Sequence, residues 1–226
     1  MLSASMKMAD LVDLNRLLVL ILFRMGIRFG FGDATVAEVC RRSGVDTDTF
    51  LLVCRVYTFG DYVPSAEDLR RVDIKEIVGY LRCSHSYYLQ TQLPSLGAGI
   101  EHMLEPVPER QRKIIWKFFD DYKQELERHF EYEETVVFPY AESLISGTPA
   151  EGKSMDEFEE DHTNIEEKVG DLKNLVMKYL PSGCDEAEVV NVLGDIYLLE
   201  GDLERHTFIE DRILVPMILK KEENDG

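Results

Sequence analysis

Apolar and polar positions follow two regimes along this chain. From Val72 onward apolar residues recur at helical spacing in long runs, and almost nothing alternates as a strand would. Four long helices are predicted there. The first runs from about Asp73 through His85, with Pro94 expected to kink or interrupt it before Leu104. The second opens at Pro108 and runs through Trp116 and His129 to about Ser146. A Gly147–Gly152 loop precedes the third, about Ser154 to Leu180, where Ser154 and Glu157 have capping-box spacing. Pro181-Ser182-Gly183 breaks the chain before the fourth, about Asp185 to Lys221. Short loops between long helices predict antiparallel neighbours, so the fold class is an all-α, antiparallel four-helix bundle over residues 72–226. Residues 1–71 read differently. Turn signals at Gly26, Gly30, Gly32, Asp33, Gly60, Asp61 and Pro64 divide them into short helices of a small N-terminal domain.

An internal echo stands out on the second and fourth helices. His129-Phe130-Glu131-Tyr132-Glu133 leads to Pro139, and His206-Thr207-Phe208-Ile209-Glu210 leads to Pro216, each with an apolar approach to the proline. Residues four apart on a helix differ by about 40° around its axis, so each His and Glu share a face. His85 and His162 lie centrally on the other two helices. The set His85, His129, Glu133, His162, His206 and Glu210 offers four imidazoles and two carboxylates, which suits iron, and zinc or manganese less distinctively. Two carboxylates from different helices suit a pair of ions about 3.5–4 Å apart. The plainer reading, a His–Glu pair on a solvated helix face, fits one such motif better than two in the same register.

Glu125 and Asp161 stand beside His129 and His162, either as orienting acceptors or as parts of an acidic face. His102 reads as a satisfied or exposed residue. Trp116, Phe118, Phe119, Tyr122 and Phe130 read as bundle core.

Charge narrows the partners. With 25 Lys and Arg against 43 Asp and Glu, the formal net charge is -18, which opposes nucleic acid and anionic lipid alike. Thr35 to Val53, turning at Gly44, has the look of a helix-turn-helix. Its second helix opens Asp46-Thr47-Asp48-Thr49, placing negative charge where phosphate would be met. The longest apolar run, Leu17 to Phe23, is too short to cross a bilayer. No basic start leads into a long apolar segment, and Cys40, Cys54, Cys83 and Cys184 are widely spaced. Reduced thiols and a cytoplasmic location are therefore expected.

His129-x-x-x-Glu133-x-x-x-x-x-Pro139 and His206-x-x-x-Glu210-x-x-x-x-x-Pro216, with His85 and His162 upstream of each, resemble hemerythrin-like di-iron domains. The likeness is greatest to the Ric type, the repair of iron centres proteins. Phe23-Arg24-Met25-Gly26-Ile27-Arg28-Phe29, Gly32 and Thr35 to Cys40 resemble the small helical domain preceding the bundle in that group. Gly30 and Phe31 stand where that group usually has a cysteine pair.

The resemblance implies two iron ions, bridged by the glutamates and an oxo or hydroxo group and ligated by four histidines. It implies iron–sulfur cluster repair or handling of nitric oxide and oxidative stress, with NO or O2 as small ligand and iron–sulfur proteins as partners. An oxygen-binding or oxygen-sensing module is the alternative. Oxygen carriers of this type use a fifth histidine, a position that His102 does not obviously supply.

Overall fold

The computed structural model describes residues 2–146 and 162–225. The predicted Gly147–Gly152 loop, the Ser154–Glu157 cap and Asp161 lie outside the described residues. Regular structure among those described is helical, apart from an isolated bridge between Lys7 and Thr35.

The short helices are α1 (Met8–Val12), α2 (Leu18–Arg24), α3 (Val36–Ser43), α4 (Thr47–Thr58) and α5 (Ala66–Arg70). Their ends are set locally. Thr35 and Glu38 close a capping box on α3, and Ser65 and Asp68 close one on α5. Gly44 ends α3 in the left-handed region at φ 70°, where a side chain would be strained. Asp46, whose charge argued against DNA contact, is the N-cap of α4 and accepts from the Thr49 amide at 2.8 Å. The Leu17–Phe23 run buries Leu18, Ile21 and Leu22 while Phe23 faces outward, as one helix face requires.

The long helices are α6 (Ile74–Tyr87), α7 (Leu93–Leu104), α8 (Glu109–Tyr132), α9 (Phe138–Ser146), α10 (His162–Tyr179), α11 (Glu186–Ile209) and α12 (Val215–Asp225). Three wider π turns join them in pairs: Tyr88–Gln92 between α6 and α7, Glu133–Val137 between α8 and α9, and Glu210–Leu214 between α11 and α12. Pro94, Pro139 and Pro216 are each the second residue of the helix that follows. A proline inside a helix lacks a donor and crowds the carbonyl four residues back. In all three cases that carbonyl lies within the π turn, where the altered register relieves the clash. The interruption expected at Pro94 is thus a π turn through which the helical path continues.

Contacts divide the chain into two compact units. The first holds the residues up to Ser84 together with α9 and the residues from Arg205. In it α2 and α3 pack on α4, α1 packs on α3, and α12 packs on α9. Arg24, buried on α2, donates to the hydroxyls of Tyr57 on α4 and Tyr80 on α6, at 3.3 and 3.4 Å. Arg82 forms a two-pronged pair with Glu142, tying α6 to α9.

The second unit holds His85–Val137, α10 and α11 up to Glu204. Segments of α7, α8, α10 and α11 enclose a core that includes Ile100, Phe119, Leu126, Val169, Leu172 and Ile196. Lys168 pairs with Glu125 and Lys173 with Glu200, fastening α10 to α8 and to α11. Among the described residues no helix is long and apolar enough to cross a membrane.

Leu126 is fully buried in this core, whereas Ile114 is 62% exposed on the same helix. Leu126→Ala is expected to destabilise the protein by about 2–5 kcal/mol in chemical denaturation, through lost burial and the remaining cavity. Ile114→Ala should change stability by less than about 0.5 kcal/mol.

Candidate metal centre

Each His–Glu pair continues the stripe that forms the core. On α8 the buried positions Ile115, Phe119, Tyr122 and Leu126 advance by steps of four and three residues, and His129 and Glu133 follow in the same rhythm. On α11 the stripe runs Val192, Ile196, Leu199, Leu203, His206, Glu210. Helical periodicity therefore carries these polar side chains inward with the apolar ones. Both glutamates are fully buried, and each is the first residue of a π turn.

Glu133 presents one oxygen to each of two rings. Its Oε1 lies 3.1 Å from His129 Nε2, one turn back on α8, and its Oε2 lies 3.1 Å from His85 Nε2, near the end of α6. Glu210 repeats the local half of this arrangement, with Oε1 3.0 Å from His206 Nε2. Ligand atoms of His85, Glu133, His206 and Glu210, all buried, lie within 4.8 Å of one another.

A further contact fixes His85. Its Nδ1 lies 2.9 Å from Glu134 Oε1. With Nδ1 donating to that carboxylate, Nε2 on the Glu133 side would be left to ligate a cation. The ring also stacks on Phe130, with centroids 4.0 Å apart and planes 14° apart. A carboxylate bound to the remote nitrogen is the usual way a protein orients and strengthens a ligating imidazole.

The donor set fits a cation. Two donors about 2.1 Å from one ion and at right angles to each other are about 3 Å apart, which matches the His–Glu separations here. Buried carboxylates also require compensating charge or hydrogen bonds. Thiolate ligation has no support, since no cysteine joins the cluster and all four are free. Burial pushes the Cys40 thiol up to about 11 and Cys54 well above its ordinary value, so both stay protonated at neutral pH.

His85, Glu133, His206 and Glu210 are thus brought together, and His129 lies against Glu133. His162 opens α10 three residues before buried Ile165; its side chain lies outside the described residues. His102 is exposed on α7. Glu125, weighed as an orienting acceptor, is instead paired with Lys168. The reading of the residues missed Glu134 and assigned Phe130 to the core alone. No spacing rule connects either to His85, 49 residues away from Glu134 in sequence. The only available signal was Glu134 standing next to a motif glutamate.

None of the curated proteins compared with this chain matches it. The family model described as the hemerythrin HHE cation binding domain matches residues 89–218, more than half of the chain. The matched span contains both His–Glu pairs and His162, and it begins four residues after His85. Family and geometry together point to a metal-binding site, and the chain belongs to the hemerythrin HHE cation-binding domain family.

Proposed function

We propose that this protein holds two iron ions through His85, His129, Glu133, His162, His206 and Glu210, and acts in the repair of iron–sulfur clusters or the handling of nitric oxide. The observation that carries this reading is Glu133, a fully buried carboxylate with one oxygen toward each of two imidazoles from different helices. Such a carboxylate suits two adjacent ions better than one. Glu210, with His206 beside it, would supply the second carboxylate. Mixed imidazole and carboxylate donors favour iron over the softer thiolate-seeking ions.

A pair of irons held in this way supplies open positions for a small ligand and a reversible change of oxidation state. The chain's own residues shape that site. Glu134 keeps the His85 proton on Nδ1, Phe130 covers one face of the ring, and the apolar stripes of α8 and α11 restrict water. Oxygen carriage or sensing is the second reading. The exposure of His102 favours repair, because it leaves the chain without a fifth histidine for the site. The Ric likeness in the N-terminal residues supports the same choice. NO or O2 is the proposed small ligand, and iron–sulfur proteins are the proposed partners.

Metal analysis of anaerobically purified protein is expected to find two irons per chain. His129→Ala and His206→Ala should each lower iron content sharply, whereas His102→Ala should leave it unchanged; equal loss from all three would refute the assignment. Rapid bleaching by nitric oxide supports repair, while reversible colour change on oxygenation supports a carrier. Glu134→Gln should weaken iron binding by roughly 10–100-fold without unfolding the protein. In the metal-free variant, nitrogen NMR should show His85 losing its preference for the Nδ1–H tautomer.

A further inference from the structure

Away from the His–Glu cluster, the N-terminal helices frame a pocket of about 490 Å³, within the usual size range for a small-molecule site. Its wall includes Arg28, Phe29, Gly30, Phe31, Val39 and Arg42. Arg28 lies in the loop after α2, and Arg42 lies in the last turn of α3. The chain carries 43 acidic residues, yet no acidic side chain lines this pocket. Among the described residues, no ion pair or hydrogen bond engages either guanidinium. Glu38, one turn before Arg42 on α3, feels its charge but bonds Thr35 in the cap, and Asp33 pairs with Lys7 at 2.7 Å.

Attraction to the C-terminal end of α3 accounts for a cation at Arg42, but not for Arg28, which is outside any helix. Apart from Ser43, the remaining lining is apolar or glycine backbone. The Phe29 and Phe31 rings lie 6.4 Å apart and tilted, and Phe29 is 59% exposed. Gly30 has φ 88°, and a Cβ added there would meet nothing within 4 Å. The loop thus takes a conformation open to glycine and leaves room beside its backbone.

Two planar guanidiniums recognise carboxylate or phosphate oxygens, and adjacent aromatic rings recognise a flat apolar body. We propose that this pocket binds a small organic anion, a carboxylate or phosphate on an aromatic or similarly flat apolar group. The proposal is independent of the metal reading.

The full chain, labelled with nitrogen-15, is titrated with benzoate, phenyl phosphate and inorganic phosphate while the amides of Gly26, Gly30 and Ser43 are followed. A saturable response to either aromatic anion is expected, and the tighter of the two names the head group. Arg28→Gln and Arg42→Gln should each raise its midpoint about tenfold, since each removes a charge-assisted contact. Arg41→Gln, on the same helix end but outside the pocket lining, should change it less than about twofold. A response that does not saturate would overturn the site, as would equal weakening by all three substitutions. Inorganic phosphate binding as tightly as the aromatic anions would overturn the role of Phe29 and Phe31.

Discussion

The structure depends on keeping two carboxylates out of water. Glu133 and Glu210 are both fully buried, and an isolated ionised carboxylate in an apolar interior is strongly unfavourable. Each therefore lies beside an imidazole one turn back on its own helix, and Glu133 meets a second from α6. A cation among these donors would stabilise them further. Deleting one partner leaves the others buried without compensation, so the cluster is coupled and its members are not independent contributors.

The same constraint explains the backbone. An uninterrupted α-helix passing through a proline would lose a hydrogen bond and crowd a carbonyl just beyond each glutamate. The π turns beginning at Glu133 and Glu210 absorb that conflict in the turn that displays the carboxylate. Extra turns of this sort often occur at functional sites, because they reorient side chains without ending the helix. The turn at Tyr88–Gln92, just after His85 and before Pro94, obeys the same rule. All three prolines thus have one physical role, although only two of them belong to the His–Glu echo.

Orientation of His85 adds another layer. Glu134 is partly exposed and meets His85 at Nδ1, whereas its neighbour Glu133 is fully buried and meets the same ring at Nε2. Two adjacent glutamates therefore do different work. One faces the interior donors, and the other, the next residue of the π turn, reaches the remote nitrogen of the same ring. The N-terminal helices are organised separately, by capping boxes and a buried Arg24–Tyr57–Tyr80 network.

Much of this was readable in one dimension because it is periodic. Helical spacing, Gly and Pro punctuation and the repeated His-x-x-x-Glu identify an all-α chain and two inward-facing donor pairs, since residues four apart share a face whatever surrounds them. The 4-3 rhythm from Ile115 to Glu133 and from Val192 to Glu210 likewise lies in the sequence. Contacts between distant segments were not readable. That His85 shares Glu133 with His129, donates to Glu134 and stacks on Phe130 depends on how α6 and α8 pack. That Glu125 joins Lys168 depends on α10, and the clearance of Arg28 and Arg42 depends on the folding of the N-terminal loop. Local periodicity fixes which face a side chain occupies, but only tertiary packing decides what it meets there, because such neighbours are set by the volume and shape of the whole core.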